Sequence, residues 1–121
     1  MILEINTTDR EKISLTLLDK KAEKYFEFKT KDQSADLLVA INKVLKKNKI
    51  SLQNLKAIVV KIGPGSFTGV RVGVTVANTL SWTLDIPVIG YKEGERDKIL
   101  KKFLKSSEKN FLKSAVPYYE I

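Results

Sequence analysis

The sequence predicts an α/β domain built on a mixed five-stranded sheet, and two patterns lead to that prediction. Three segments with strand-like alternation come first, and two segments with helical spacing then alternate with two apolar strands. Helices that connect parallel strands pack on the faces of the sheet, whereas strands joined by short turns pair antiparallel. The predicted order is therefore β-β-β-α-β-α-β, followed by a C-terminal helix.

The first three strands are predicted to form a meander. Residues Ile2 to Asn6 alternate weakly, Ile13 to Leu17 alternate strictly, and a third strand lies around Tyr25 to Phe28. Turn-forming residues fill the two gaps, at Asn6 to Asp9 and at Asp19 to Lys21. Short turns of this kind connect antiparallel neighbours.

The first helix is predicted from Ser34 to Asn48, with Asp32 or Ser34 as its N-terminal cap. Its apolar residues recur at helical spacing, at Leu37, Leu38, Ile41, Val44 and Leu45. The segment from Leu55 to Lys61 follows as a fourth strand, which is apolar enough to be buried on both faces.

The second helix is predicted against local propensity. Residues Val70 to Val76 alternate and are rich in β-branched side chains, which favours a strand. Small residues nevertheless recur every four positions, at Gly69, Gly73, Ala77 and Ser81, and an apolar ridge runs beside them at Val72, Val76, Leu80 and Leu84. The uninterrupted length also suits a helix. We therefore predict a helix from Phe67 to Leu84 that packs very closely along its small residues.

The remainder of the chain is predicted to complete one domain, residues 1–121, with its core in residues 1–90. Residues Ile86 to Gly90 form the last strand, and a loop follows from Tyr91 to Arg96. A lysine-rich amphipathic helix is marked by Ile99, Leu100, Phe103 and Leu104. The tail from Ala115 to Ile121 is too apolar for a free end, so we expect Tyr118 and Tyr119 to dock it on the domain.

Composition removes several classes of site. The chain contains no cysteine, which excludes disulfides and thiolate zinc sites, and no histidine, the commonest general base and metal ligand. We predict neither a catalytic residue nor a metal site. The chain shows no secretion signal and no apolar run of about 18 residues, so we expect a cytoplasmic protein without membrane contact.

The net charge of +8 raises the question of a nucleic-acid partner. Almost all of the positive charge is lysine, since arginine occurs only at Arg10, Arg71 and Arg96. Arginine is the side chain best suited to bidentate recognition of phosphates and bases. The scattered lysines favour a solvated surface, and a polyanion-binding patch stays open as the alternative.

The glycine-rich run from Gly63 to Gly73 has two possible uses. Its backbone N–H groups could bind a phosphate, with Thr7, Thr8, Gly65 and Ser66 as the candidate residues. Its glycines could instead permit a sharp turn and close helix packing. The spacing matches neither the P-loop nor the G-x-G-x-x-G pattern, and no lysine occupies the P-loop position. Close packing is therefore favoured.

Several motifs together resemble the TsaB (YeaZ) family. They are the run from Gly63 to Gly73, the strand from Ile86 to Gly90, the opening Ile2 to Thr8 and the closing Val116 to Tyr119. The element order is also that of a ribonuclease-H-like half-domain of the actin-like ATPase superfamily. The resemblance implies a non-catalytic subunit of the machinery that forms threonylcarbamoyladenosine at position 37 of tRNA.

The resemblance also implies partners. A TsaD-type transferase would form a heterodimer with this chain through the first two helices, a TsaE-like ATPase would join the pair, and tRNA would bind through the complex. The chain could pair with a second copy when it is alone, and ATP would bind only at a site shared with partners. The candidate interface residues are Leu37, Leu38, Ile41, Leu45, Phe67, Gly69, Val70, Arg71, Val72, Gly73, Val76, Ala77 and Leu80.

The sequence departs from the family pattern in two places, and these departures bear on which function the chain has. The first strand ends in Asn6, where the family usually has an aspartate. A short helix and tail in residues 91–121 stand where the family has a second half-domain. A nucleotide-binding domain with its own hydrolase or phosphotransfer activity, and a basic tRNA-binding module, stay open as alternatives. Arg71 is expected to pair with a partner carboxylate, to reach solvent or to cap the sheet edge, and Trp82 to lie in the core or in the interface.

Overall fold

A computed structural model describes residues 1–105, which form five strands and three α-helices. The predicted docking of the tail by Tyr118 and Tyr119 lies outside the described residues. A short 3-10 helix, Leu52–Asn54, precedes the fourth strand. The main elements are β1 (Ile2–Asn6), β2 (Lys12–Leu18), β3 (Glu23–Lys29), α1 (Gln33–Lys47), β4 (Ala57–Gly63), α2 (Phe67–Leu84), β5 (Val88–Lys92) and α3 (Arg96–Lys105).

The strands form one mixed sheet in the order β3-β2-β1-β4-β5. The pairs β1–β2 and β2–β3 are antiparallel, as the predicted meander requires. The pairs β1–β4 and β4–β5 are parallel, and each parallel neighbour is reached through a helical crossover. This arrangement confirms the predicted fold class and element order.

The predicted helix from Phe67 to Leu84 is confirmed at both ends, despite the strand-like alternation of its sequence. The last strand is displaced from its prediction by two residues, because Ile86 and Pro87 still belong to the turn after α2. The N–H of Ile86 donates to the carbonyl oxygen of Ser81 at 3.0 Å. Tyr91, expected in a loop, therefore lies in β5 and pairs with Lys61.

The main core lies between the sheet and the pair α1 and α2. Side chains alternate along β1, so Leu3 and Ile5 face these two helices while Ile2 and Glu4 face the other side. Asp32 caps α1 as predicted, since its carboxylate accepts a hydrogen bond from the N–H of Ala35 at 3.2 Å. Strand β4 is buried on both faces, as predicted, from Ala57 to Val60.

The second face of the sheet carries α3, and a buried ion pair joins the two. Glu4 lies on the central strand with only 5% of its surface exposed. Its carboxylate accepts hydrogen bonds from Arg96 Nε at 2.8 and 2.9 Å and from Arg96 Nη2 at 2.8 Å. The Tyr91 hydroxyl also donates to Glu4, and Arg96 pairs with Glu23 as well. The first residue of α3 is thereby bound to the centre of the sheet.

Replacing Arg96 with methionine should destabilise the domain, because Glu4 would be left buried without a counter-charge. We expect a loss of about 2 kcal/mol in the free energy of unfolding, less than for a fully buried pair because Arg96 still reaches solvent. Urea titration followed by circular dichroism measures the loss. The double variant Glu4→Met/Arg96→Met is the control and should recover most of it. A single variant as stable as the wild type would contradict this account of the ion pair.

Tyr91 predicts a dependence of stability on alkaline pH. Burial, and then the negative charge of Glu4, raise the pKa of the Tyr91 phenol well above its ordinary value. Below about pH 10 the phenol is neutral in both states, so its full contribution is present. At higher pH the unfolded state loses the proton first, and that contribution falls by up to about 1.4 kcal/mol per pH unit.

Unfolding of the wild type and of Tyr91→Phe should therefore be compared at pH 8 and pH 11. The difference in unfolding free energy between the wild type and the variant should shrink at the higher pH. Groups that titrate alike in both proteins contribute equally to both free energies and so do not affect this difference. A difference that stayed constant would be inconsistent with a raised pKa at Tyr91.

Candidate functional site

The glycine-rich segment connects β4 to α2 and rests on the loop between β1 and β2. Ser66 caps the helix, since its hydroxyl oxygen accepts a hydrogen bond from the N–H of Gly69 at 3.1 Å. The N–H of Ser66 donates to the carbonyl oxygen of Thr8 at 2.8 Å. Gly65 also lies against Thr8, whose carbonyl oxygen would stand 2.6 Å from a Cβ at that position. The start of α2 is thus bound to the β1–β2 loop.

Gly69 and Gly73 permit this close approach. A Cβ on Gly69 would overlap the carbonyl oxygen of Thr7, and one on Gly73 would overlap the hydroxyl oxygen of the same threonine. Thr7 is fully buried beneath the helix, and its hydroxyl donates to the carbonyl oxygen of Gly69. The small-residue stripe therefore packs closely, as predicted, but against the chain's own loop.

Two amide side chains hold the β1–β2 loop in place. The Gln33 amide nitrogen lies within hydrogen-bond distance of the carbonyl oxygens of Thr7, Asp9 and Lys12, at 3.1, 2.8 and 2.9 Å. The Asn6 carbonyl oxygen accepts from the N–H of Thr8 at 3.0 Å and from its hydroxyl at 2.7 Å. Both amide side chains thus form hydrogen bonds with groups of the β1–β2 loop or the residue next to it.

The four candidate phosphate-binding residues, Thr7, Thr8, Gly65 and Ser66, lie together in the structure, but much of their donor capacity is already used. Both threonine hydroxyls and the N–H groups of Thr8 and Ser66 donate within the chain. A phosphate bound here would have to replace those bonds. Within residues 1–105, no three acidic, histidine or cysteine residues are grouped so that they could hold a metal ion.

Eight of the thirteen predicted interface residues are buried in the chain's own core, which corrects their assignment. A small-residue stripe can face a partner or the protein interior, and its spacing does not distinguish the two. Here the stripe and its apolar neighbours line the contact of α2 with the sheet and the β1–β2 loop. The buried residues are Leu37, Ile41, Leu45, Gly69, Val70, Gly73, Ala77 and Leu80.

The other five predicted residues reach the surface of the helix pair. Leu38 is 57% exposed and Phe67 is 54% exposed. The Arg71 guanidinium lies over the Phe67 ring, 4.4 Å from its centroid, and is exposed. Val72 and Val76 are half-buried at the edge of the core.

Two more exposed side chains lie outside the thirteen predicted interface residues. Trp82 is 87% exposed, which contradicts the core alternative given from sequence and leaves its interface alternative as a proposal. It follows Arg71 by eleven residues, which is close to three helical turns and places both on the outer side of α2. That spacing was the sequence signal that could have indicated an exposed Trp82. Val39 on α1 is also exposed and was missed, because its neighbours in the sequence carry the apolar periodicity.

The topology and the two crossover helices on one face define a ribonuclease-H-like half-domain of the actin-like ATPase class. The family model described as "TsaD: tRNA N6-adenosine threonylcarbamoyltransferase" matches residues 27–95. The chain belongs to this family, on its TsaB (YeaZ) branch.

Two relatives and two solved structures support that placement. The Bacillus subtilis tRNA threonylcarbamoyladenosine biosynthesis protein TsaB is 41% identical over 88 residues, 72% of this chain and 38% of the relative. The Escherichia coli protein of the same name is 33% identical over 54% of this chain and 29% of its own length.

The structure of YeaZ from Pseudomonas aeruginosa superposes with a TM-score of 0.70 at 25% identity, over 80% of this chain and 50% of that one. A second structure from the same organism, described as similar to peptidase YEAZ, gives 0.70 at 27% identity, over 75% and 42%. The chain thus spans half or less of the length of each of these proteins. Among residues 1–105, no helix is both long and apolar enough to cross a membrane.

Substituting Gly73 with alanine should destabilise the domain by about 1–3 kcal/mol, because the new methyl group meets the Thr7 hydroxyl. The cost should fall when Thr7 is itself replaced by alanine, since the obstructing hydroxyl is then absent. A double-mutant cycle of urea unfolding measures this coupling. Thr75→Ala, on the exposed side of the same helix, is the control and should change stability by less than about 0.5 kcal/mol. Additive effects of the two alanines would contradict the packing described here.

Proposed function

We propose that this chain is a non-catalytic subunit that binds a TsaD-type threonylcarbamoyl transferase and supports threonylcarbamoyladenosine formation at position 37 of tRNA. The relatives that carry the TsaB name are described as tRNA threonylcarbamoyladenosine biosynthesis proteins, which supports a role in that pathway. The partner would be a paralogue of the same fold, in keeping with the match to the TsaD family model.

The surface of the α1–α2 pair carries the proposal. Large apolar side chains are exposed on both helices, at Leu38 and Val39 on α1 and at Phe67 and Trp82 on α2. Exposed apolar groups of this kind mark protein-binding surfaces when they occur together, and aromatic and arginine side chains are common hot spots. Arg71, already placed by its contact with Phe67, could pair with a carboxylate of the partner.

The loop that would bind phosphate in an active relative supports an assembly role. Asn6 provides an uncharged oxygen that holds Thr8, and a divalent cation favours a charged carboxylate at such a position. A TsaE-like ATPase and ATP at a shared site would then belong to the assembled complex, and two copies of this chain could pair through the same helices when TsaD is absent.

The variant Leu38→Glu should weaken binding to the TsaD-type protein of the same organism by at least about 30-fold, because a carboxylate would replace an apolar contact at the interface. Isothermal titration calorimetry with the two purified proteins measures the change. Phe67→Glu should act in the same way on the second helix.

Leu52→Glu is the matched control, since Leu52 is an exposed leucine on the 3-10 helix, outside the α1–α2 pair. It should leave the affinity within about threefold. Thermal unfolding of each variant separates a lost contact from a lost fold. No binding by the wild type would overturn the proposed function, whereas equal losses at Leu38 and Leu52 would refute the proposed surface.

A further inference from the structure

The fold brings together lysines that lie far apart in the sequence. The β2–β3 turn and the end of α1 meet at one end of the molecule, where Lys24 Nζ donates to the Asn48 side-chain oxygen at 3.3 Å. Lys47 Nζ lies 5.9 Å from the centroid of the Phe26 ring on β3. We call the lysines of these two segments the lysine patch: Lys20, Lys21, Lys24, Lys43, Lys46, Lys47 and Lys49.

The positive charge of the patch is only partly offset nearby, since Asp19 lies in the same turn as Lys20 and Lys21. All seven lysines are exposed, and within residues 1–105 none of them forms an ion pair. The nearest acidic groups in the turn have other partners. The Asp19 carboxylate accepts hydrogen bonds from the N–H groups of Lys21 and Ala22, and Glu23 pairs with Arg96.

Helix stabilisation explains only part of this arrangement. Lys46 and Lys47 lie in the last turn of α1, where positive charge interacts favourably with the helix dipole. That effect does not account for the lysines of the turn. The opposite end of the domain is different, since its basic residues are mixed with acidic ones: Arg10, Lys12, Lys29 and Lys31 lie around the same groove as Glu11, Asp32 and Asp36.

We propose that the lysine patch binds the phosphate backbone of RNA. Lysine ammonium groups bind phosphates as flexible point charges, without reading sequence, which suits a set of exposed lysines that form no ion pairs. An RNA backbone is favoured over a membrane surface, because the exposed apolar groups of α1, Leu38 and Val39, lie outside the patch, and stable membrane binding combines buried apolar groups with charge. The aromatic ring within this patch, Phe26, is half-buried and lies beneath Lys47.

The location of the patch suits a subunit that adds RNA affinity to a complex. Three lysines of the patch, Lys43, Lys46 and Lys47, occupy the C-terminal half of α1, whereas exposed Leu38 and Val39 lie in its N-terminal half. A partner bound at the apolar half would therefore leave the lysines beside it. The choice of tRNA as the RNA rests on the proposed function.

The test uses the full chain and an unmodified tRNA transcript, with binding followed by fluorescence anisotropy from about 50 to 200 mM salt. The triple variant Lys20→Gln/Lys21→Gln/Lys24→Gln should weaken binding at least tenfold at the lower salt concentration. It should also reduce the slope of log K against log salt by about 2, because each lost phosphate contact removes roughly 0.7–0.9 of slope. The triple variant Lys43→Gln/Lys46→Gln/Lys47→Gln should behave in the same way.

The control triple is Arg10→Gln/Lys29→Gln/Lys31→Gln, which removes the same charge from the opposite end. It should change the affinity by less than about threefold, since diffuse charge contributes only weakly once salt screens it. Equal losses in the patch and control triples would overturn the proposal and indicate a general charge effect. Circular dichroism confirms that each variant is folded.

Two further outcomes would also overturn the proposal. One is an affinity for the transcript that no triple variant changes. The other is binding to vesicles containing about 30% anionic lipid without binding to the transcript. Failure of the patch is distinguishable from failure of the proposed function, because the lysine variants should retain the affinity for the TsaD-type protein that Leu38→Glu loses.

Discussion

The close contact of α2 with the β1–β2 loop is the constraint on which the rest of the structure depends. Gly69 and Gly73 allow the helix to lie directly on Thr7, and Ser66 attaches its first turn to Thr8. Because the helix is fixed there, β5 can return parallel to β4 beside it. The same contact determines which side of α2 faces outward, so it also selects the side chains that a partner could meet.

This contact also changes the role of the loop. This loop carries two of the candidate phosphate-binding residues, Thr7 and Thr8. Here Thr7 and Thr8 direct their hydroxyl groups at Gly69 and Asn6, and Gln33 binds the loop's carbonyl oxygens from the side. The loop acts as a support for the helix. This support leaves the outer side of the same helices open for the proposed partner-binding surface.

The two faces of the sheet carry different structural features. On one face, α1 and α2 cover the main core and expose apolar groups outward. On the other, the buried pair of Glu4 and Arg96 fixes α3 across the central strand, with Tyr91 completing the set of bonds to the carboxylate. The lysine patch lies at one end of the domain, where the turn after β2 meets the end of α1. Charge and apolar surface are therefore separated along α1 itself.

Local pattern alone determined the element order, the length of α2 and the caps of α1, because periodicity and capping chemistry act over a few residues. The sequence also indicated that the glycines permit close packing. Only the tertiary structure decided that Gly69 and Gly73 pack against the chain's own Thr7, and that most of the predicted interface residues lie in the core. The pairing of Glu4 with Arg96 and the clustering of Lys24 with Lys47 were likewise decided by tertiary structure. Each depends on contacts between segments far apart in the chain, which no local spacing records.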